Sequence, residues 1–445
     1  MDVDLVQGDA VAVEDGVFAG EQVADFQRHA VRVRVKVVAR MHALVEPVQR
    51  AEQVPDGVAW RHVESGGLAV ALGAPLSSRT AAWLAFQASA TALPLALSTT
   101  DEADASSASA SPVPGHFPDY DRLFTPVPTA NDAQYEGLRQ LVDEKKPRVI
   151  GINESDAWNH ADGITANEKR RLLAALGPDH SARVKSAEYL AVGWLEVKTP
   201  EELEAYRHVM AVAHGIIREA FSNRVITPGK TTAQDVAWWM RQRVAEKGLG
   251  SWFQPSITIW RQGANVAAIQ ATPILPGDML HTDFGIVYLG FCTDTQHNAY
   301  ILKPGETDAP AGLKAGLAAA NRLQDLTMKA ARIGRTGNQA LAEALAAAKA
   351  EGLVPSIYCH AIGYHGHAAG SPIGMADNQQ GIPVRGDYAF RPNTWDSIEL
   401  NVTHTVPEWG NMAVRFALEE DAALLPDGQW DWIAPRQTEF HLVRP

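Results

Sequence analysis

The chain has 445 residues and a mass of 48.1 kDa, with 39 Lys and Arg against 52 Asp and Glu and a formal charge of -13. That length allows one large domain or two to three ordinary ones, and the acidic balance argues against nucleic acid as a partner. Two cysteines, Cys292 and Cys359, are too few for a disulfide framework or a cysteine zinc site; one bridge is allowed, but inert buried thiols are the simpler expectation.

Residues 1–129 give no clean succession of strands, caps and turns, and no function is assigned to them. Within them, VRVRVKVV at 31–38 alternates like an exposed strand. Arg79 followed by TAAWLAFQASATALPLALS reads either as a buried helix or as an export signal whose true start lies downstream of Met1. A cytoplasmic location is the default, with export as the alternative if residues 79–98 are such a signal. No apolar run is long enough for a transmembrane anchor. Small polar residues from Ser98 to Gly115 form a low-complexity linker without the apolar surface a core needs.

Ordered patterning begins near residue 130. YEGLRQLVDEKK predicts a helix, PRVIGIN a short buried strand and NEKRRLLAALG another helix, so residues 130–195 read as a partial α/β domain. Thr199, Pro200, Glu201 and Glu202 predict a capped helix start, after which Leu203, Tyr206, Met210, Ile217 and Phe221 mark one packing face. An internal echo follows. TPGKTTAQDVAWWMRQRVAEKG at 227–248 resembles IGRTGNQALAEALAAAKAEG at 333–352, with Gly229 and Gly334, Thr231 and Thr336, and Gln234 and Gln339 each 105 positions apart. A duplicated unit, with a turn before a helix in each half, explains this.

Within GDMLHTDFGIVYLGFCTDTQHNAYIL, Asp283 and Asp294 flank a turn near Leu289 and Gly290 in β-prone sequence. Turn-capping aspartates facing water are the common arrangement; two carboxylates brought together by antiparallel strands would instead call for a cation. SIYCHAIGYHGHAAG carries His360, His365 and His367, among which composition does not choose a ligand. Glu399 in TWDSIELNV and Glu439 in RQTEFHLV sit in apolar runs, where a buried carboxylate is costly unless neutralised or coordinated. Four acids and one imidazole suit two divalent metals, with a metal-free charge network as the rival.

Taken in order, GDMLHTDFG, CTDT, HAIGYHGH, SIEL and QTEF resemble the pita-bread metallopeptidases, the family of methionine aminopeptidase, Xaa-Pro aminopeptidase and prolidase, over roughly residues 200 to 445. The resemblance implies an α+β fold: a duplicated pita-bread catalytic domain at 196–445, preceded by a short or truncated creatinase-like α/β segment at 130–195. It implies two divalent metal ions, with manganese expected and zinc, cobalt or iron as alternatives, held by Asp283, Asp294, His360, Glu399 and Glu439. Glu399 would also move the proton of the attacking water, and His367 would stabilise charge on the substrate carbonyl; no motif position demands His365. The implied partner is a peptide with proline in the second position, in a chain that could form a homodimer.

The α/β segment before residue 200 favours the proline-specific branch over methionine aminopeptidases, which normally lack it. Two positions depart from the pattern: Asn265 stands where family peptidases usually place a substrate-facing histidine, and Gln437 where many proline-specific members have arginine. The expected activity is dimetal-dependent hydrolysis near a peptide N-terminus, Xaa-Pro aminopeptidase-like. A related dipeptidase or dimetal hydrolase is one alternative, and a metal-retaining binding protein without activity is the other.

Overall fold

A computed structural model describes residues 133–445 and, before them, the backbone of three strands, β1 (Ala59–Val63), β2 (Leu68–Leu72) and β3 (Trp83–Gln87). The expectations for residues 31–38 and 98–115 lie outside the described residues. Of the 79–98 segment only β3 is described, and it is a strand rather than the buried helix considered above.

The next elements are α1 (Ala133–Lys145), β4 (Val149–Ile152), α2 (Ala166–Ser181), β5 (Val184–Ser186) and α3 (Glu188–Glu196), which match the helix, strand and helix read from sequence. β1 to β5 form one sheet in sequence order, antiparallel from β1 to β3 and parallel from β3 to β5. Leu138, Val142, Ile150, Ile152, Leu172 and Leu176 make a small core between α1, α2 and β4.

The remainder runs α4 (Pro200–Ala220), α5 (Ala233–Glu246), β6 (Ser256–Trp260), α6 (Val266–Ile269), β7 (Met279–Phe284), β8 (Val287–Tyr288), β9 (Phe291–Cys292), β10 (Thr295–Ile301), α7 (Ala311–Ala330), α8 (Gly337–Ala350), β11 (Pro355–Ile357), β12 (His360–Ala361), β13 (Thr394–Ser397), β14 (Leu400–Val406), β15 (Met412–Leu418), β16 (Asp421–Leu424), β17 (Trp430–Trp432) and β18 (His441–Val443). α4 begins as its sequence predicts: Thr199 and Glu202 form a reciprocal capping box with Pro200 in the first turn. Tyr206, Met210, Ile217 and Phe221 of the predicted stripe are buried, and Leu203 packs at its edge.

Two halves repeat one plan. α4, α5 and the antiparallel order β6-β7-β10 correspond to α7, α8 and β11-β14-β15. Gly229 and Gly334 share a left-handed backbone, φ 81° and 82°, and each precedes a capping-box threonine. The capping residues are Thr232 and Thr336, 104 positions apart, with Asp235 and Gln339 as their partners. The glycine match therefore holds at 105, while Thr231 and Gln234 are each one residue out of structural register: one half carries an extra residue between glycine and cap.

Each half buries its own face. Tyr206, Val236, Leu280 and Ala299 fill one core, and Leu317, Leu341, Leu400 and Phe416 the other. The sheets meet where Gln296 and Glu419 exchange backbone hydrogen bonds of 3.0 and 3.3 Å. The expected duplicated α+β, pita-bread arrangement is present, preceded by the α/β unit. No helix among the described residues is long and apolar enough to cross a membrane.

Candidate metal centre

Strand alternation explains why two aspartates eleven positions apart share a face. β7 and β10 pair antiparallel with Asp283 opposite Gln296, so these two side chains lie on the same side of the sheet. Asp294, two residues before Gln296 at the mouth of β10, follows the same parity. The intervening β8–β9 hairpin closes through Leu289 and Gly290, both at positive φ, a two-residue turn whose twist matches its strands.

The second half supplies the rest. His360 opens β12, Glu399 occupies the two-residue break between β13 and β14, and Glu419 the break between β15 and β16. Three overlapping groups result, each with ligand atoms within 4.8 Å of one another: Asp283, Asp294 and Glu419; His360, Glu399 and Glu419; and Asp294, His360 and His367. His360 Nε2 lies 3.4 Å from Glu419 Oε1 and 3.7 Å from Asp294 Oδ2.

Glu439 does not join them. It is exposed, because β18 begins only at His441 and the preceding chain is a loop that turns Phe440 inward and Glu439 out. Glu419 takes the position expected of Glu439, and a signal for it existed. ALEEDAALL places Glu419, Glu420 and Asp421 consecutively in an apolar run, and all three are buried. Burying three adjacent acids is too costly without dedicated partners.

Gln296 is a second residue that motif reading missed. Its Nε2 donates to Glu399 Oε1 and Glu419 Oε2, both at 2.8 Å, while its Oε1 lies 2.8 Å from His281 Nε2. Ser397 Oγ donates to the other Glu419 oxygen at 2.8 Å. Tyr206, from the α4 packing stripe, donates from its hydroxyl to Asp421 Oδ2, which also accepts from the Asp294 backbone N–H at 3.3 Å. If Gln296 orients both glutamates, Gln296→Ala should weaken divalent-metal affinity about 10–100-fold, as loss of an outer partner does. Chelator competition measures this, and unchanged affinity would remove Gln296 from the site.

Burial dominates the electrostatics. It lifts Asp283 to about 6, against a hydrogen bond with Asp294 and the charges of His360 and Arg415. It lifts Glu399 to about 8, with the Glu419 charge adding to the effect. Asp294 and Glu419 are pushed well above the carboxylate range by burial and then by the neighbouring carboxylates. Among the described residues no Lys or Arg forms an ion pair with Asp283, Asp294, Glu399 or Glu419. Asp283 Oδ1 and His360 Nε2 are buried without a hydrogen-bond partner. An oxygen-rich shell with one imidazole, unneutralised and with orphaned ligand atoms, fits divalent cations.

His367 stands at the open rim, its ring 4.4 Å from His360 and 5.3 Å from Trp252. Loss of hydration, then the nearby His360, hold it down at about 4, so it is neutral near pH 7 and has one N–H to donate. Gly366 is required beside it, since a Cβ there would sit 2.4 Å from the Trp252 indole. His365 instead packs 4.1 Å from His160 of the α/β unit and joins no ligand group.

The two departures serve structure. Asn265 is exposed, and its Oδ1 caps α6 by accepting from the Ala267 N–H at 3.0 Å. Gln437 is buried and pairs with both backbone groups of Asn298 at 2.7 Å, fastening the C-terminal segment to β10. Cys292 and Cys359 are free and buried, so the bridge that sequence allowed is not formed; burial pushes the Cys292 thiol up to about 11.

Residues 204–417 match metallopeptidase family M24. No match was found among curated proteins. Among solved structures, X-Pro aminopeptidase from Thermotoga maritima is 17% identical over 72% of this chain and 82% of its own, with a TM-score of 0.49. A dipeptidase from Pyrococcus horikoshii is 17% identical, covering 72% and 80%, with a TM-score of 0.47. Xaa-Pro dipeptidase from Bacillus anthracis is 17% identical, covering 72% and 81%, with a TM-score of 0.44.

Proposed function

This chain belongs to metallopeptidase family M24 through residues 204–417, and from that premise we propose that it hydrolyses peptide bonds near the peptide N-terminus with two bound divalent metals. The observation that carries the reading is the convergence of Asp283, Asp294, His360, Glu399 and Glu419 from both halves of the fold into overlapping groups of ligand atoms. These five side chains would hold the metals, with Asp294 and Glu419 each placed in two of the overlapping groups. Such metals, with manganese expected from the oxygen-rich donors, would acidify a water and polarise the peptide carbonyl.

The protein's part is positional. Gln296 holds one Glu399 oxygen, leaving the other to take a proton from the attacking water and pass it to the departing amine. His367, neutral and open at the rim, donates its N–H toward the carbonyl oxygen as charge develops there. Tyr206 and Asp421 hold the Asp294 backbone from beneath. The α/β unit ahead of the catalytic region supports a preference for proline in the second position, by the resemblance described above.

One observation favours a dipeptidase variant of the same chemistry. Arg415 on β15 is exposed, and its charge acts on Glu399 and Asp283. A fork of donors there suits the free carboxylate of a dipeptide.

The test combines metal analysis of the purified protein with a panel of Xaa-Pro-peptides, Xaa-Pro dipeptides and Met-peptides. Turnover of the longer Xaa-Pro substrates with bound divalent metal is expected. Preference for dipeptides, lost in Arg415→Ala, would favour the variant; metal binding without turnover of any peptide would reduce the protein to a metal-retaining binder.

A further inference from the structure

Behind the candidate centre lies a second convergence of ligand-type side chains. Adjacent strand residues face opposite sides, so His297 and Glu420 point away from the face that carries Gln296 and Glu419. There they meet His214 of α4. His297 Nε2 lies 2.6 Å from Glu420 Oε1, and His214 Nε2 3.0 Å from Glu420 Oε2. All three side chains are at least nine-tenths buried, at 4%, 4% and 1% exposure, and their ligand atoms fall within 4.8 Å of one another.

We propose that His214, His297 and Glu420 form a third metal site, separate from the candidate dimetal centre, that takes a zinc-class divalent cation. Two imidazoles and one carboxylate are a recurrent zinc donor set, with borderline nitrogen ligands that magnesium and calcium bind poorly. Among the described residues Glu420 forms ion pairs only with these histidines, and no Lys or Arg pairs with it. His441 of β18 adds an outer partner: its Nε2 is 3.0 Å from His297 Nδ1.

That contact ties the tautomer of His297 to what lies between it and Glu420. If His297 Nδ1–H donates to His441, Nε2 keeps a lone pair with which to ligate a cation; in the other tautomer Nε2–H donates to Glu420 Oε1 and the three side chains form a metal-free network, the outcome the test must exclude. The Gln437 backbone N–H, 3.0 Å from Glu420 Oε1, helps to fix the carboxylate. A metal here would staple α4 and β18 to β10 and to the segment leading into β16, immediately beside Glu419.

The test starts from the full chain carrying Asp283→Ala and Asp294→Ala, which removes two of the five candidate dimetal ligands without touching the proposed site and leaves His360, Glu399 and Glu419 to be checked by the Glu399→Gln arm. After dialysis against zinc and removal of loose metal, this variant should retain one zinc per chain, and cobalt in its place should give an absorption band of low-coordinate geometry. Adding Glu420→Gln should abolish retention, Glu399→Gln should leave it unchanged, and His441→Asn should weaken affinity about 10–100-fold. Loss of all zinc in the Asp283→Ala/Asp294→Ala variant overturns the proposal. So does retained zinc that is indifferent to Glu420→Gln and His441→Asn. Should Glu420→Gln unfold the chain, His441→Asn decides alone, because it alters no direct ligand.

Discussion

Replacing Glu419 by Gln should abolish peptide hydrolysis and strip the protein of most bound metal, while Glu439→Gln should leave both at the parent level. The contrast follows from placement. Glu419 is 1% exposed, accepts hydrogen bonds from Gln296 and Ser397, and belongs to two of the ligand groups. Glu439 faces solvent in a loop. Because Glu419 contributes ligand atoms rather than orienting another ligand, its loss should exceed the roughly 10–100-fold penalty of an outer partner. Gln keeps the volume and one acceptor oxygen while removing the charge, and the Ser397 hydroxyl can rotate to accept from the new amide N–H, so folding should survive. Metal content and kcat/KM of the two variants check this; a Glu439→Gln variant as damaged as Glu419→Gln would refute the assignment.

The metal-free protein should lose stability as pH rises from about 6.5 to 8, and divalent metal should reduce that loss. Burial raises Asp283 to about 6, Asp421 and Glu196 to about 7 and Glu399 to about 8. A carboxyl whose folded value exceeds its unfolded value stabilises the fold fully below the unfolded value, near 4, and that contribution is lost as pH climbs through the folded value. Below about pH 6.5 an opposing effect intrudes. His281, His365, His367 and His441 are held below their ordinary range by burial, so acidification charges them more readily in the unfolded chain. The clean window therefore lies above the ordinary histidine value. A tenfold difference in proton affinity between the folded and unfolded chain is worth about 1.4 kcal/mol, so the cluster together commands several kcal/mol, released in coupled steps rather than residue by residue. Thermal midpoints with chelator and with manganese across this range would test it. A flat or rising metal-free profile would contradict the carboxylate cluster as described.

Much of the site was legible because local chemistry constrained it. The eleven-residue step from Asp283 to Asp294 encodes strand, two-residue turn and strand, and parity alone puts both carboxylates on one face. Glu399 was likewise readable as an acid stranded in an apolar run, whereas only the family resemblance singled out His360 among its neighbouring histidines. The same argument misled at Glu439: Phe440 and Val443 face inward, which made RQTEFHLV look like a strand throughout, although β18 occupies only its end. It was sounder at ALEEDAALL, where three adjacent acids cannot all reach water from a buried break between strands.

Alternation, capping boxes and glycine turns are properties of short segments, so the sequence by itself determined α1, β4, α2, α4, the Asp283–Asp294 hairpin and the echo between the two halves, while the family resemblance singled out four of the five proposed ligands. What each acid faces depends on strands far apart in the chain. Gln296 meets Glu419 across 123 positions, and Tyr206 meets Asp421 across 215. Only the tertiary structure decided that Glu419 rather than Glu439 joins the cluster, that Asn265 and Gln437 are spent on a cap and a backbone clasp, and that His297 and Glu420 turn away to meet His214. The physical reason is that a carboxylate's cost and use are set by the partners folding brings to it, and no local pattern records which partners arrive.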